Sequence, residues 1–278
     1  MPILPLLFLI AAGPLAAQPA ATAGPADLNA FVDAVTVQAE GQVARFHEPV
    51  CVVAEGLPDD FNLAVEARVR ELAGAARIRT ARERGCRANF IILVANDGAE
   101  VASALRRRRP DIFNGLNSVE VSRAIAATGP VRSWQSSVTR RAEGAMIADN
   151  RDAFLHQDVH LHHGVPVGLL RETTRRDLQL SVVVFDVDAV DGLTLMQIAD
   201  HAAMRGLAPT RPAEAAAGRS ILSLFDRAAG DRAQLPAVTR LDLSYLRALY
   251  RIEGALDGTA HRRLLARLIE NGGGTERR

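Results

Sequence analysis

The chain has 278 residues, enough for one sizeable hydrophobic core or two modest ones. Hydrophobic residues make up 48% of it and the formal net charge is +1, which excludes an intrinsically disordered chain and argues against a nucleic-acid binder. Every basic residue is arginine, so the run Arg106–Arg109 reads as the solvated end of a helix rather than a phosphate patch.

Residues 1–22 have the profile of a cleaved secretory signal peptide. Ile3 to Leu15 is mostly apolar, too short to span a bilayer, and runs into the small pair Ala16-Ala17. No Arg or Lys precedes the apolar run, so the N-terminal amine alone supplies the positive charge; an uncleaved anchor is the alternative. Export to the periplasm or the medium is expected, with no transmembrane segment in the mature chain. In that oxidising setting Cys51 and Cys86 are expected to form a structural disulfide, since neither belongs to a CxxC.

The expected elements alternate. Asp27–Gln38 can form an amphipathic helix. "EPVCVVAEGLP" reads as a short strand ending in a turn, and Asp59 or Asp60 can cap the helix "FNLAVEARVRELAGAA". "NFIILVAND" has the continuous apolar run of a buried central strand, and a helix over Val101–Arg107 ends before Pro110. "PVRSWQSSVTRR" alternates like an exposed strand. "LQLSVVVFDVDAV" is a second buried strand, followed by a helix in "QIADHAAMRGLAP", then "SILSLFD", then helices over Leu241–Tyr250 and His261–Glu270. This pattern predicts an α/β or α+β fold: an N-terminal α/β portion over 27–140, an irregular histidine-rich loop over 141–175, a C-terminal portion over 176–270 and a disordered tail over 271–278. Two lobes divided near residue 140 are an alternative.

Residues Asp191 to Tyr250 resemble the metzincin branch of zinc metalloproteases. That family carries HExxHxxGxxH on a helix, then a turn containing methionine, then a helix with an Asp and a final Leu-Tyr. Gly206 matches the motif glycine, "SILSLFD" the turn, and Thr239, Leu241, Asp242, Leu246, Leu249 and Tyr250 the last helix. The whole chain also resembles a family of exported alphaproteobacterial proteins to which no activity is attached. Carried over residue by residue, the zinc-helix resemblance puts Ala199 and Ala203 where the first two histidine ligands stand. Pro209 takes the third ligand position, Asp200 the general base, and Leu222 the methionine of the turn.

An alanine methyl has no lone pair, and a catalytic zinc takes about three protein ligands. His201 cannot replace them: on a helical projection it points away from Ala199 and Ala203, along a ridge with Gln197 and Arg205. The resemblance therefore implies a zincin-like frame without catalysis or a resident cofactor: a pseudo-protease kept for packing or binding, its partner a peptide or an envelope protein. Two other readings compete. His156 and His160, with His162 if the segment is a strand or His163 if it is a helix, could hold Zn²⁺ or Ni²⁺, adventitiously or as a metal-dependent hydrolase, or the chain could be a structural envelope protein. If a binding groove exists, Trp134, Asp200, His201 and Arg205 are its expected lining, with His201 and Arg205 at the solvent side. Asp186, Asp188 and Asp191 are spaced like the start of a calcium loop but lack its glycine and closing glutamate.

Overall fold

The computed structural model describes residues 25–38, 41–81, 85–145, 173–212, 219–226, 235, 237–252 and 256–272. One four-stranded sheet organises them, in the order β1 (Val52–Glu55), β2 (Phe90–Ala95), β4 (Thr174–Asp186), β3 (Val131–Arg141). β1, β2 and β4 are parallel, with Val52 opposite Phe90 and Phe90 opposite Ser181. β3 lies antiparallel on the free edge of β4, Trp134 opposite Val182. Parallel neighbours need crossovers. Helix α2 (Asp59–Ala75) supplies the first; α3 (Gly98–Arg108), α4 (Ser118–Ala126) and β3 fill the second. The architecture is α/β, as the alternating elements predict.

Side chains alternate across the sheet, and each face has its own core. Phe90, Ile92, Val183 and Phe185 point into the larger one, which is closed by α1 (Pro25–Val35), α2, α6 (Leu195–Gly206), α7 (Arg240–Arg251) and α8 (Gly258–Gly272). Val182, Val184 and Trp134 point the other way, into a smaller core with Ala102 of α3, Val121 of α4 and the 3₁₀ turn Pro110–Phe113. A four-residue helix, α5 (Val187–Val190), follows β4 and leads towards α6.

Several boundaries differ from expectation for local reasons. α1 stops at Val35 because Thr36 bridges to Thr210 instead of continuing the helix to Gln38. Pro58, not an aspartate, precedes α2, and Asp59 and Asp60 sit in its first turn, where the helix dipole favours them. Asp97 caps α3 by accepting from the amides of Ala99 and Glu100, so that helix starts at Gly98. α4 and the 3₁₀ turn before it were not anticipated; α4 is opened by a capping box between Asn117 and Glu120. β3 is not an exposed strand, since α3 and α4 cover Trp134. The segment 141–175, expected to be irregular, contributes strand at both ends, with Arg141 opposite Thr174. α8 runs to Gly272, so the first two residues of the expected tail are helical.

Cys51 and Cys86 are joined, with Cα atoms 6.0 Å apart and a sequence separation of 35. On the chain-entropy model a loop of that length contributes about 4 kcal/mol. Among the described residues no helix is long and apolar enough to cross a membrane. The expected signal peptide and the histidines at 156, 160, 162 and 163 lie outside the described residues, as do 273–278.

Candidate functional site

Helix α6 is placed by its own first turn. The Thr194 hydroxyl accepts from the amide of Gln197, and the Gln197 carboxamide accepts from the amide of Thr194, so the capping box fixes where the helix begins. From there every residue from Gln197 to Gly206 is buried. Ala199, Ala202 and Ala203 are fully enclosed. At Gly206 the helix touches β2: a Cβ there would lie 2.1 Å from the Phe90 ring, and the Gly206 carbonyl accepts a 2.7 Å bond from Ser181 of β4. The small residues therefore let a helix lie directly on the sheet.

Asp200, which the metzincin resemblance would make a general base, has 0% exposure. Arg68 of α2 grips it in a bidentate pair, Nε at 2.7 Å and Nη2 at 3.1 Å, and the amide of Val238 donates to Oδ2. Arg68 also holds Glu71 at 2.8 Å, and these carboxylate bonds raise its pKa above the ordinary arginine value. Asp200 thus ties α6 to α2 and to the segment entering α7. Its oxygens are engaged inside the protein and not presented to a cleft.

His201 and Arg205 were expected on a solvent-facing ridge; both are buried, at 2% and 7% exposure. Beyond its exposed first turn, from Gln197 on, the helix has no solvent face, because β3, β4, the 3₁₀ turn Ile221–Asp226 and α2 surround it. His201 sits between the rings of Phe185 and Phe225, at 5.8 and 4.8 Å, and its Nδ1 has no partner among the described residues. Burial, with Arg205 nearby, pushes its pKa well below the usual histidine range. Arg205 reaches Ser133 of β3 at 2.6 Å and the Thr210 carbonyl at 2.5 Å. Desolvation lowers its pKa to about 10.

The expected groove is not assembled. Trp134 stacks on Phe113 at 4.9 Å and donates to the Ile112 carbonyl on the opposite face of the sheet from Asp200, His201 and Arg205. Alternation along β3 separates them: Ser133 reaches Arg205, and the next residue turns away. Pro209 is buried, its carbonyl accepting from the amide of Val37. Leu222 is buried in the same core as α6. The segment 220–226 is fastened to α7 through Asp242, which is itself fully enclosed. Its oxygens accept from the Ser220 hydroxyl at 2.5 Å, the Ile221 amide at 2.9 Å, and both amide and hydroxyl of Thr239. Burial raises the Asp242 pKa, and these hydrogen bonds pull it back down.

Asp186 accepts from the Gly98 amide and pairs with Arg132, so it anchors the start of α3. Among the described residues no group of three or more His, Cys, Asp or Glu side chains could hold a metal ion. On the far face of the sheet, a cavity of about 1420 Å³ opens beside Ile91, Leu93 and Arg109. Sequence reasoning did not anticipate it, since it depends on how far α3 and α4 reach over the strands. Comparison with protein-family models, with curated proteins and with solved structures finds no match to this chain.

Proposed function

We propose that this is an exported, disulfide-linked protein whose C-terminal half is a zincin-like module without a catalytic metal, acting by binding at the cell envelope and not by hydrolysis. The observation that carries the reading is the state of Asp200: fully enclosed, bidentate to Arg68 and bonded to the amide of Val238. A general base must reach the water it deprotonates, and this carboxylate spends its lone pairs on structure. Ala199 and Ala203, at the positions of zinc ligands, are equally enclosed. In support of the kinship, the segment from α6 through 220–226 to α7 packs in one core, and Asp242 bonds Ser220 across the turn. The cavity beside Ile91 and Leu93 offers a binding surface on the other face.

The test is metal content and peptidase activity of the purified full chain, alongside Asp200→Ala and the double variant His156→Ala/His160→Ala. The proposal expects no peptide hydrolysis above background in any of them. Zinc retained at one per chain and lost with Asp200→Ala would sink it. Hydrolysis lost only in the double variant would establish a metal hydrolase built on the histidine-rich segment instead.

A further inference from the structure

On the far face of the sheet the covering layer stops short. Helix α3 reaches β2, β3 and β4, and α4 reaches β3, while β1 packs against β2 and, on the opposite face, α2. Strands of a parallel sheet are ordinarily covered on both faces. Here Val53, Ile91 and Leu93 stay partly exposed in the cavity of about 1420 Å³, with Leu105 of α3 as one wall. Two neighbouring strands span about 10 Å, the width of one helix with its side chains. The bare strip has room for a single helix beside α3.

Charge is sorted along this strip. α3 begins just after the carboxyl end of β2, so its acidic first turn, with Glu100, lies at the end of the sheet where Glu55 closes β1. From there the helix runs back, and Arg109 joins Arg87 and Glu48 around the cavity. At that second end Arg87 and the run Arg106–Arg109 outweigh Glu48 and Asp111, and Asp111 is already paired with Arg109 at 2.7 Å. Glu55, Glu100, Arg107 and Arg108 are exposed, and their side chains have no ion pair among the described residues.

A helix that fits the strip antiparallel to α3 must therefore begin acidic, be small or apolar midway, and end basic. α3 has that pattern itself. Glu100 stands in its first turn, Val101, Ala104 and Leu105 are partly exposed midway, and Arg106–Arg109 close it. We propose that this face is a homodimer interface, in which α3 of a second copy lies antiparallel to α3 and covers Val53, Ile91 and Leu93. The arrangement is two-fold and self-complementary. Arg107 and Arg108 of each copy meet Glu55 and Glu100 of the other, so opposite charges coincide at both ends. The inference rests on the reading of this face as a binding surface and names its partner. It uses no residue of α6, so oligomeric state decides it, while metal content and peptidase activity decide the proposed function.

The test is analytical ultracentrifugation of the full chain over the micromolar range, with two charge-reversed variants, Arg107→Glu/Arg108→Glu and Glu55→Arg/Glu100→Arg. The wild type forms a dimer. Each variant alone faces like charges across the axis and dimerises at least about tenfold more weakly. An equimolar mixture of the two recovers a heterodimer, because every reversed pair then meets its opposite. A monomeric wild type, variants that dimerise as tightly as the wild type, or a mixture no tighter than its parts would overturn the interface. All four side chains are exposed, so both variants keep the wild-type far-ultraviolet spectrum. Should either fail to fold, the salt dependence of the wild type decides: the dimer weakens as ionic strength rises, and one indifferent to salt would overturn the proposal.

Discussion

At Gly206 the helix meets the sheet with no space for a side chain. The Phe90 ring occupies the place a Cβ would take, and Phe90 is itself enclosed in the core. Gly206→Ala is therefore expected to destabilise the fold by about 1–3 kcal/mol, the usual range for overpacking; urea denaturation measures it. The sequence singled this glycine out only through a resemblance, and its physical reason was not readable there, because it depends on a ring 116 positions away. Arg68 is the same kind of case. Nothing in "FNLAVEARVRELAGAA" distinguishes it from Arg70, yet Arg68 reaches Asp200 while Arg70 reaches Glu66. Only the crossing of α2 over α6 separates the two.

Among elements, β2 and β4 were readable because a strand covered on both faces needs a continuous apolar run. β3 was read as exposed because its alternation of Arg, Ser, Trp and Gln looks half-solvated. In the fold its polar residues bond inward, Ser133 to Arg205 and Gln135 to the Arg205 carbonyl. α6 failed in a related way. Helical projection separates an apolar from a polar face, but it assumes that the polar face meets water. Here that face meets β3, Phe225 and the chain after the helix. The start of α6 was not inferred from the sequence, although Thr194 and Gln197 carry a capping-box pattern. Thr194→Ala removes the hydroxyl that accepts from Gln197 and is expected to cost about 1 kcal/mol. Its signature is a lowered thermal midpoint with the far-ultraviolet spectrum retained.

For the whole molecule, burial of neutral histidines couples folding to pH. The pKa of His201 is depressed well below 6.5, and that of His261 to about 4. Above pH 6.5 neither form of the chain protonates these rings, and stability does not depend on them. Below it, the unfolded chain takes up protons that the folded chain refuses, so stability falls as pH falls, by up to about 1.4 kcal/mol per pH unit for each ring. The loss from His261 levels off near pH 4, where the folded ring also protonates. Asp242, raised by burial, offsets part of the loss at the acid end. Denaturation midpoints at pH 7, 6 and 5 should decline with increasing slope, and His261→Leu should flatten the decline. The account rests above all on Asp200 being a structural residue, and side-by-side urea denaturation of wild type and Asp200→Ala tests that most directly. Loss of about 2–4 kcal/mol is predicted, because Arg68 and the Val238 amide lose their acceptor while the partial exposure of Arg68 softens the cost. An Asp200→Ala protein with the wild-type midpoint would contradict it.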